Sequence, residues 1–305
     1  MDVPEVDLTG ANPYARFVAG HDLPLSLAIE DLHLKHQHWD TLLLGSVTQD
    51  TSKATAEPPA IFGMFNTLKS DYAAARWLAY QALFGDPPEA AHYADTLNYV
   101  NYGIEQSLLT LAQRSAVDLL DRIAVAATEY LDLGGLPLKK IYFRNRWHKD
   151  VYADDLEWRS DVATEIEQGN WALIALAELA EDFAREEGFL SSKKDVRNAS
   201  THRFVILHEM GTSCEGNSDY VEHRGESEFA KSTLDSLRVA RAAIFYLAEL
   251  VALREARMSE QDGLAMPMGV PLQHEFRGSE NEEYGSESDR SQSQKTDRQQ
   301  DEETV

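Results

Sequence analysis

The segment Ile104–Leu133 constrains the fold most. Leu108, Leu111, Ala112, Leu119, Ile123, Ala126 and Tyr130 recur at spacings of three, four and seven, and Gly134-Gly135 follows. That spacing places apolar side chains on one face of an α-helix and leaves a polar face outward. A helix this long with one apolar face needs partners to cover it, and the sequence supplies them. Pro58-Pro59 opens a helix that ends near Gly85, before Asp86-Pro87-Pro88, with proline at the start and glycine at the stop. A third helix is expected over Asn170–Glu187, with Asn170 as N-cap and Gly188 as the stop. Ser192-Lys193-Lys194-Asp195 resembles a capping box, and its helix is expected to run to Glu209. A last helix covers Glu226–Arg257, with Leu237, Ile244, Leu247 and Val251 on one face. Only Tyr93–Tyr102 and Ile141–Trp147 carry the aromatic content of strands. The expected fold is all-α, a helical bundle.

Three regions are expected: an irregular N-terminal segment at 1–57, the helical body at 58–258, and a polar, acidic, disordered tail at 259–305. The start of the chain has no basic-then-apolar signal pattern, and its longest apolar run is about half the ~20 residues of a membrane span. A cytoplasmic protein without membrane partners is the simplest reading. Cys214 is the single cysteine, which excludes an intrachain disulfide and multi-cysteine metal sites. There is no phosphate loop of the GxxxxGK[ST] type, which argues against nucleotide-driven work.

The formal charge is −24, from 28 basic and 52 acidic residues. Such a balance argues against general affinity for nucleic acid, because that affinity comes from phosphate neutralisation. Two local clusters run the other way. Lys139-Lys140-Ile141-Tyr142-Phe143-Arg144-Asn145-Arg146-Trp147-His148-Lys149 holds five basic residues and no acid. Lys139, Lys140, Arg144, Arg146 and Lys149 could contact phosphates, while Tyr142, Phe143 and Trp147 could stack on unpaired bases. The alternative is a solvated basic edge beside aromatics that belong to the core. The second cluster adds Lys193, Lys194 and Arg203 to the candidate RNA contacts and contains Arg197-Asn198-Ala199-Ser200-Thr201-His202. On a helix, Asn198 and His202 share a face. Histidine can take and return a proton at neutral pH, arginine can hold a phosphate, and an amide can orient it. The same spacing also fits a helix with a plain polar face.

Arg197-Asn198-x-x-x-His202, late in a helical bundle and followed by one more long helix, resembles the signature of the HEPN superfamily. A Pro-Pro-led helix, Pro58-Pro59-Ala60-Ile61-Phe62 through Lys69-Ser70-Asp71-Tyr72-Ala73-Ala74-Ala75-Arg76, comes earlier. An Ile-Tyr-Phe-Arg-Asn segment at Ile141–Asn145 then precedes the signature. Together they resemble a bacterial and archaeal branch of that superfamily over residues 25–255. The resemblance implies a HEPN-like helical bundle that dimerises and brings two such motifs into one cleft. It implies a metal- and cofactor-independent endoribonuclease, a toxin or antiviral effector acting on single-stranded RNA, with an antitoxin or defence-system partner. Arg197, Asn198 and His202 are then the catalytic residues. The acidity departs from that expectation and keeps a second reading open, a non-catalytic module that binds RNA, a nucleotide or a partner protein. A third is an acidic mimic of nucleic acid. His33, His36 and His38 are read as ordinary histidines, since one secondary structure does not present all three to a metal.

Overall fold

Three long helices carry the body, and each begins or ends on an identifiable device. The computed structural model describes residues 10–26, 40–50, 58–86, 92–95, 100–185, 204–209, 218, 220–259 and 265–268. The first of the long helices, α2 (Ala60–Phe84), starts on Pro59 and stops at Gly85. A Cβ at Gly85 would lie 2.4 Å from the Gln81 carbonyl oxygen, so the stop requires glycine. The next, α3 (Ile104–Leu131), ends two residues earlier than the glycine pair predicts. Asp132 takes the left-handed conformation at φ 53° and donates its N–H back to Thr128 and Glu129. Glu226–Ser259 forms the last helix, α6, which buries Leu237, Ile244, Leu247 and Val251 as its pattern predicts.

The buried arc of α3 is wider than the predicted stripe and rotated from it. Leu109, Ala112, Ala116, Leu120, Ile123, Ala124 and Ala127 are buried, whereas Leu111 is 48% exposed. The helix packs against α2 on one side and α6 on the other, and the alanines permit that close approach. Between α3 and α6 the buried Gln113 donates from Nε2 to Ser236 Oγ at 2.9 Å.

Among the described residues two shorter helices, α4 (Ser160–Glu167) and α5 (Ala172–Ala184), join the bundle, and the first of them is not anticipated by the sequence pattern. Asn170 is not the N-cap of α5, a position that Trp171 occupies. Its buried side chain instead donates to the Leu250 carbonyl at 3.1 Å and ties α5 to α6. Gly188 lies outside the described residues.

Residues of the N-terminal segment share the same core. Asn12 Oδ1 accepts from Ala15 N at 2.7 Å and caps α1 (Pro13–Gly20), which has proline at its first position. Phe17, Val18, Leu23, Leu25, Leu42 and Leu44 are buried in one cluster with residues of α2, α3, α5 and α6. Polar groups of α2 fix this segment. Arg76, 2% exposed, makes two bonds to the Asp40 carboxylate, at 2.9 and 2.6 Å, and one to the Leu23 carbonyl at 2.9 Å. Tyr72 donates to the same carbonyl, and Lys69 donates to the Asp40 and Leu42 carbonyls. The helix segment Lys69–Arg76 singled out in the sequence is therefore, in its Lys69, Tyr72 and Arg76 side chains, the anchor of the N-terminal segment.

Among the described residues, three small two-stranded sheets decorate the helices. Strand β1 (Val47–Asp50) pairs antiparallel with β6 (Ala265–Met268), so the region expected to be a disordered tail contributes a strand. The expected strand at 93–102 is a pair, β2 (His92–Asp95) and β3 (Asn101–Gly103), paired antiparallel. The other expected strand, 141–147, is instead a single 3-10 turn at Phe143–Asn145, with another just before it at Leu138–Lys140. Finally, β4 (Phe204–His208) pairs in parallel with β5 (Val221–Gly225), which leads directly into α6. The helix predicted to reach Glu209 therefore does not do so. Phe-Val-Ile-Leu is an unbroken apolar run with two β-branched residues, and such a run favours extended backbone. Among the described residues no helix is long and apolar enough to cross a membrane.

Candidate functional site

The basic segment 139–149 is laid over α3 with alternating inward and outward side chains. Asp121 on α3 accepts from Phe143 N at 2.8 Å, and Asn145 Oδ1 accepts from Tyr142 N at 3.0 Å. These bonds fix the backbone so that Ile141, Phe143 and Trp147 point into the core. Phe143 and Trp147 meet edge to face, with ring centroids 5.9 Å apart. Lys139, Lys140, Tyr142, Arg144 and Lys149 are exposed, and Lys149 pairs with Glu157.

Three of the predicted RNA contacts require correction, and Phe143, buried against Trp147, is one of them. Trp147 is wholly buried and cannot stack on a base. Arg146 is wholly buried as well, donating from Nε to Thr128 Oγ1 at 2.8 Å and from Nη2 to Asp161. A charged residue amid aromatics in a basic run reads as a phosphate contact in the sequence. Here the loop turns it inward to a carboxylate on α4.

Next to them, His148 is buried against Trp158, with ring centroids 4.2 Å apart. Burial first, and then the Arg185 charge, hold its pKa below the ordinary 6.5. Glu181 lies 3.6 Å from Nε2, but Arg185 shares that carboxylate, and desolvation outweighs the attraction. The folded chain therefore keeps this ring neutral, while the unfolded chain protonates it near pH 6.5. The stability that this ring contributes is complete above that pH and falls as the solution is acidified through it. Melting temperatures from pH 7.5 down to 5.5 should show this slope, and His148→Phe should flatten it.

Of the remaining candidates, Arg197, Asn198, His202, Lys193, Lys194 and Arg203 lie outside the described residues, as do His33, His36, His38 and Cys214. Strand β4 follows directly after Arg203. Its last residue, His208, is buried, and its Nε2 lies 2.7 Å from Nδ1 of His223 on β5. At that distance one ring donates an N–H and the other accepts it. Beside them Arg224 binds Glu222 at 2.6 Å. Sequence reasoning missed His223 because its partner is fifteen positions away on another strand, and no spacing rule links them. A cleft of about 550 Å³ lies against β4, lined by Val100, Tyr102, Ile104, Ser107, Leu111 and Val205 among others.

A second hollow, of about 520 Å³, lies under the basic loop, where Gly63, Met64 and Leu68 of α2, Val125 of α3, and Ile141 and Tyr142 of the loop line it. Among the described residues, no three or more His, Cys, Asp or Glu side chains converge as a metal site.

A family model described as LA2681-like HEPN matches residues 52–254. That range takes in α2 through most of α6, together with the loop at 139–149 and the Arg197–His202 motif. No curated protein and no solved structure matches the chain.

Proposed function

Because the chain belongs to the LA2681-like HEPN family, a family typically associated with ribonuclease activity, we propose that it is a metal-independent endoribonuclease that cuts single-stranded RNA. The observation that carries the reading is the presence of Arg197-Asn198-x-x-x-His202 inside the matched range. In this mechanism His202 accepts the proton of a ribose 2′-OH, and the oxygen attacks the adjacent phosphorus. The bond from phosphorus to the 5′-oxygen breaks, and that oxygen takes a proton as it leaves. The products are a 2′,3′-cyclic phosphate and a 5′-OH. Arg197 holds the non-bridging oxygens as charge develops on them, and Asn198 orients the scissile group. The active form is proposed to be a homodimer with the two motifs facing one cleft, restrained by an antitoxin or defence-system partner in the cytoplasm. Exposed Lys139, Lys140, Tyr142, Arg144 and Lys149 support binding of an RNA strand. Lys193, Lys194 and Arg203 are further proposed contacts.

The net charge of −24 favours one other reading, a non-catalytic module of the same fold. A cleavage assay in EDTA separates the two, comparing the unmodified chain with Arg197→Ala and His202→Ala. Cleavage leaving 2′,3′-cyclic ends, lowered at least about a hundredfold in each variant, is the expected result. Equal cleavage by all three proteins would remove the catalytic assignment, and no cleavage by a folded dimer would favour the module.

A further inference from the structure

The hollow beneath the basic loop contains a glycine that neither backbone nor packing explains. Gly63 is the fourth residue of α2, and a helix favours alanine over glycine. Its φ is not positive, and a Cβ built there would meet nothing within 4 Å. Gly63 is itself exposed, and what its missing side chain does is leave that side of the hollow open. Met64, Leu68, Val125 and Ile141 line it as apolar wall.

The rim has a different chemistry. Tyr142 is 43% exposed on a backbone pinned from both sides by Asn145 and Asp121. An aromatic ring on a fixed loop is a stacking platform that needs little ordering when a ligand arrives. Lys139, Lys140 and Arg144, all exposed, flank it in the same loop, in a chain whose net charge is −24.

The hollow also lies on a line with the cleft beside β4. Ser107 and Leu111 line that cleft, and Asp121, Arg122 and Val125 line the hollow. At 100° per residue all five fall within about 100° of one another on α3, roughly 25 Å apart along the axis from first to last. Exposed Arg114 and Arg122 lie on the same face. Each is paired with a carboxylate, Asp118 and Asp71 respectively, in exposed ion pairs that water and phosphate can exchange.

We propose that the hollow over Gly63 takes one unpaired base of a single-stranded RNA, stacked on Tyr142, with the neighbouring phosphates held by Lys139, Lys140 and Arg144. The proposal rests on the RNA reading above and deepens it. In this reading the hollow fixes where along the strand the chain engages. Apolar walls beside Tyr142, in a loop with exposed Lys139, Lys140 and Arg144, suit a base on a polyanion. An apolar side chain of a partner protein would not need the rim.

The test is equilibrium binding of a short fluorescein-labelled single-stranded RNA to the full chain carrying His202→Ala, which separates binding from cutting. Adding Gly63→Leu should fill the hollow and weaken binding about tenfold or more without lowering the melting temperature. Tyr142→Ala should do the same, and Tyr142→Phe should stay near the parent. Unchanged affinity in a folded Gly63→Leu protein overturns the proposal, as does a parent that binds no RNA. A change of oligomeric state in place of RNA affinity also overturns it, in favour of an interface. Cleavage by the His202-intact chain in EDTA is scored separately. Pocket-dependent binding without cleavage would leave the hollow assigned and remove the ribonuclease reading. Cleavage with pocket-independent binding would do the reverse.

Discussion

A chain that begins at Pro58 is expected not to fold, although the family match starts at residue 52 and leaves the preceding residues out. Deleting the segment removes Phe17, Val18, Leu23, Leu25, Leu42 and Leu44 from the core shared with α2, α3, α5 and α6. Each of these six buried side chains stabilises by about 1.5–3 kcal/mol, so the loss is about 9–18 kcal/mol as an upper bound. Relief from ordering the deleted backbone offsets part of it. The polar consequence is loss of an ion pair, which hydration offsets in the truncated chain and leaves uncompensated only where Asp40 alone is removed. Arg76 would lose Asp40, the Leu23 carbonyl and the Tyr14 hydroxyl together. An almost fully buried guanidinium without its carboxylate costs about 3–5 kcal/mol by itself. The whole loss is comparable with the ~5–15 kcal/mol net stability of an ordinary domain. Far-UV circular dichroism and limited proteolysis should therefore find the truncated chain without a cooperative melt. Asp40→Ala in the full chain is the point test, with an expected loss of about 3 kcal/mol or more. A truncated chain that melts cooperatively at the parent's temperature would make the segment an accessory.

The long helices were legible because their signals are local. Pro58-Pro59 before α2, Gly85 after it, and the periodicity of α6 each act within a few residues. Where α3 was misjudged, the cause is its place in the bundle. A helix covered on two sides buries a wide arc, and small alanines fill much of it, so a stripe of large residues pointed too far toward Leu111. The run at 204–207 was ambiguous for a different reason. Four successive apolar residues have no period, and the parallel partner that makes them a strand starts at Val221, beyond any local signal. The candidate site divides in the same way. The motif Arg197–His202 and the basic loop could be picked out by residue type. Which of the loop's residues face outward depends on Asp121 and Asp161, which lie on α3 and α4. The His208–His223 pair and the hollow over Gly63 exist only where separate elements meet.

That dependence makes Asp161→Ala the second large effect. Arg146 has no exposed surface, and its guanidinium is held by Thr128 and Asp161. Its Nη1 has no hydrogen-bond partner among the described residues, so no alternative acceptor is in place. Removing the Asp161 carboxylate leaves a buried cation with one neutral acceptor, an expected cost of about 3–5 kcal/mol. For a body of this size that corresponds to a fall in melting temperature of very roughly 6–20 °C. Arg146→Met should cost less, because it removes the charge along with its bonds and keeps most of the volume. Combining it with Asp161→Ala should cost less than Asp161→Ala alone. The two possible roles of Arg146 predict different results. An arginine that contacts RNA would lower affinity when replaced by methionine while leaving the melt unchanged. The buried pair predicts that Asp161→Ala, which removes no positive charge at all, is the more damaging of the two to stability. Thermal melts of the single and double variants, run beside the RNA-binding measurement, decide between them. A melt insensitive to Asp161→Ala, with RNA affinity lost in Arg146→Met, would return Arg146 to the nucleic-acid surface.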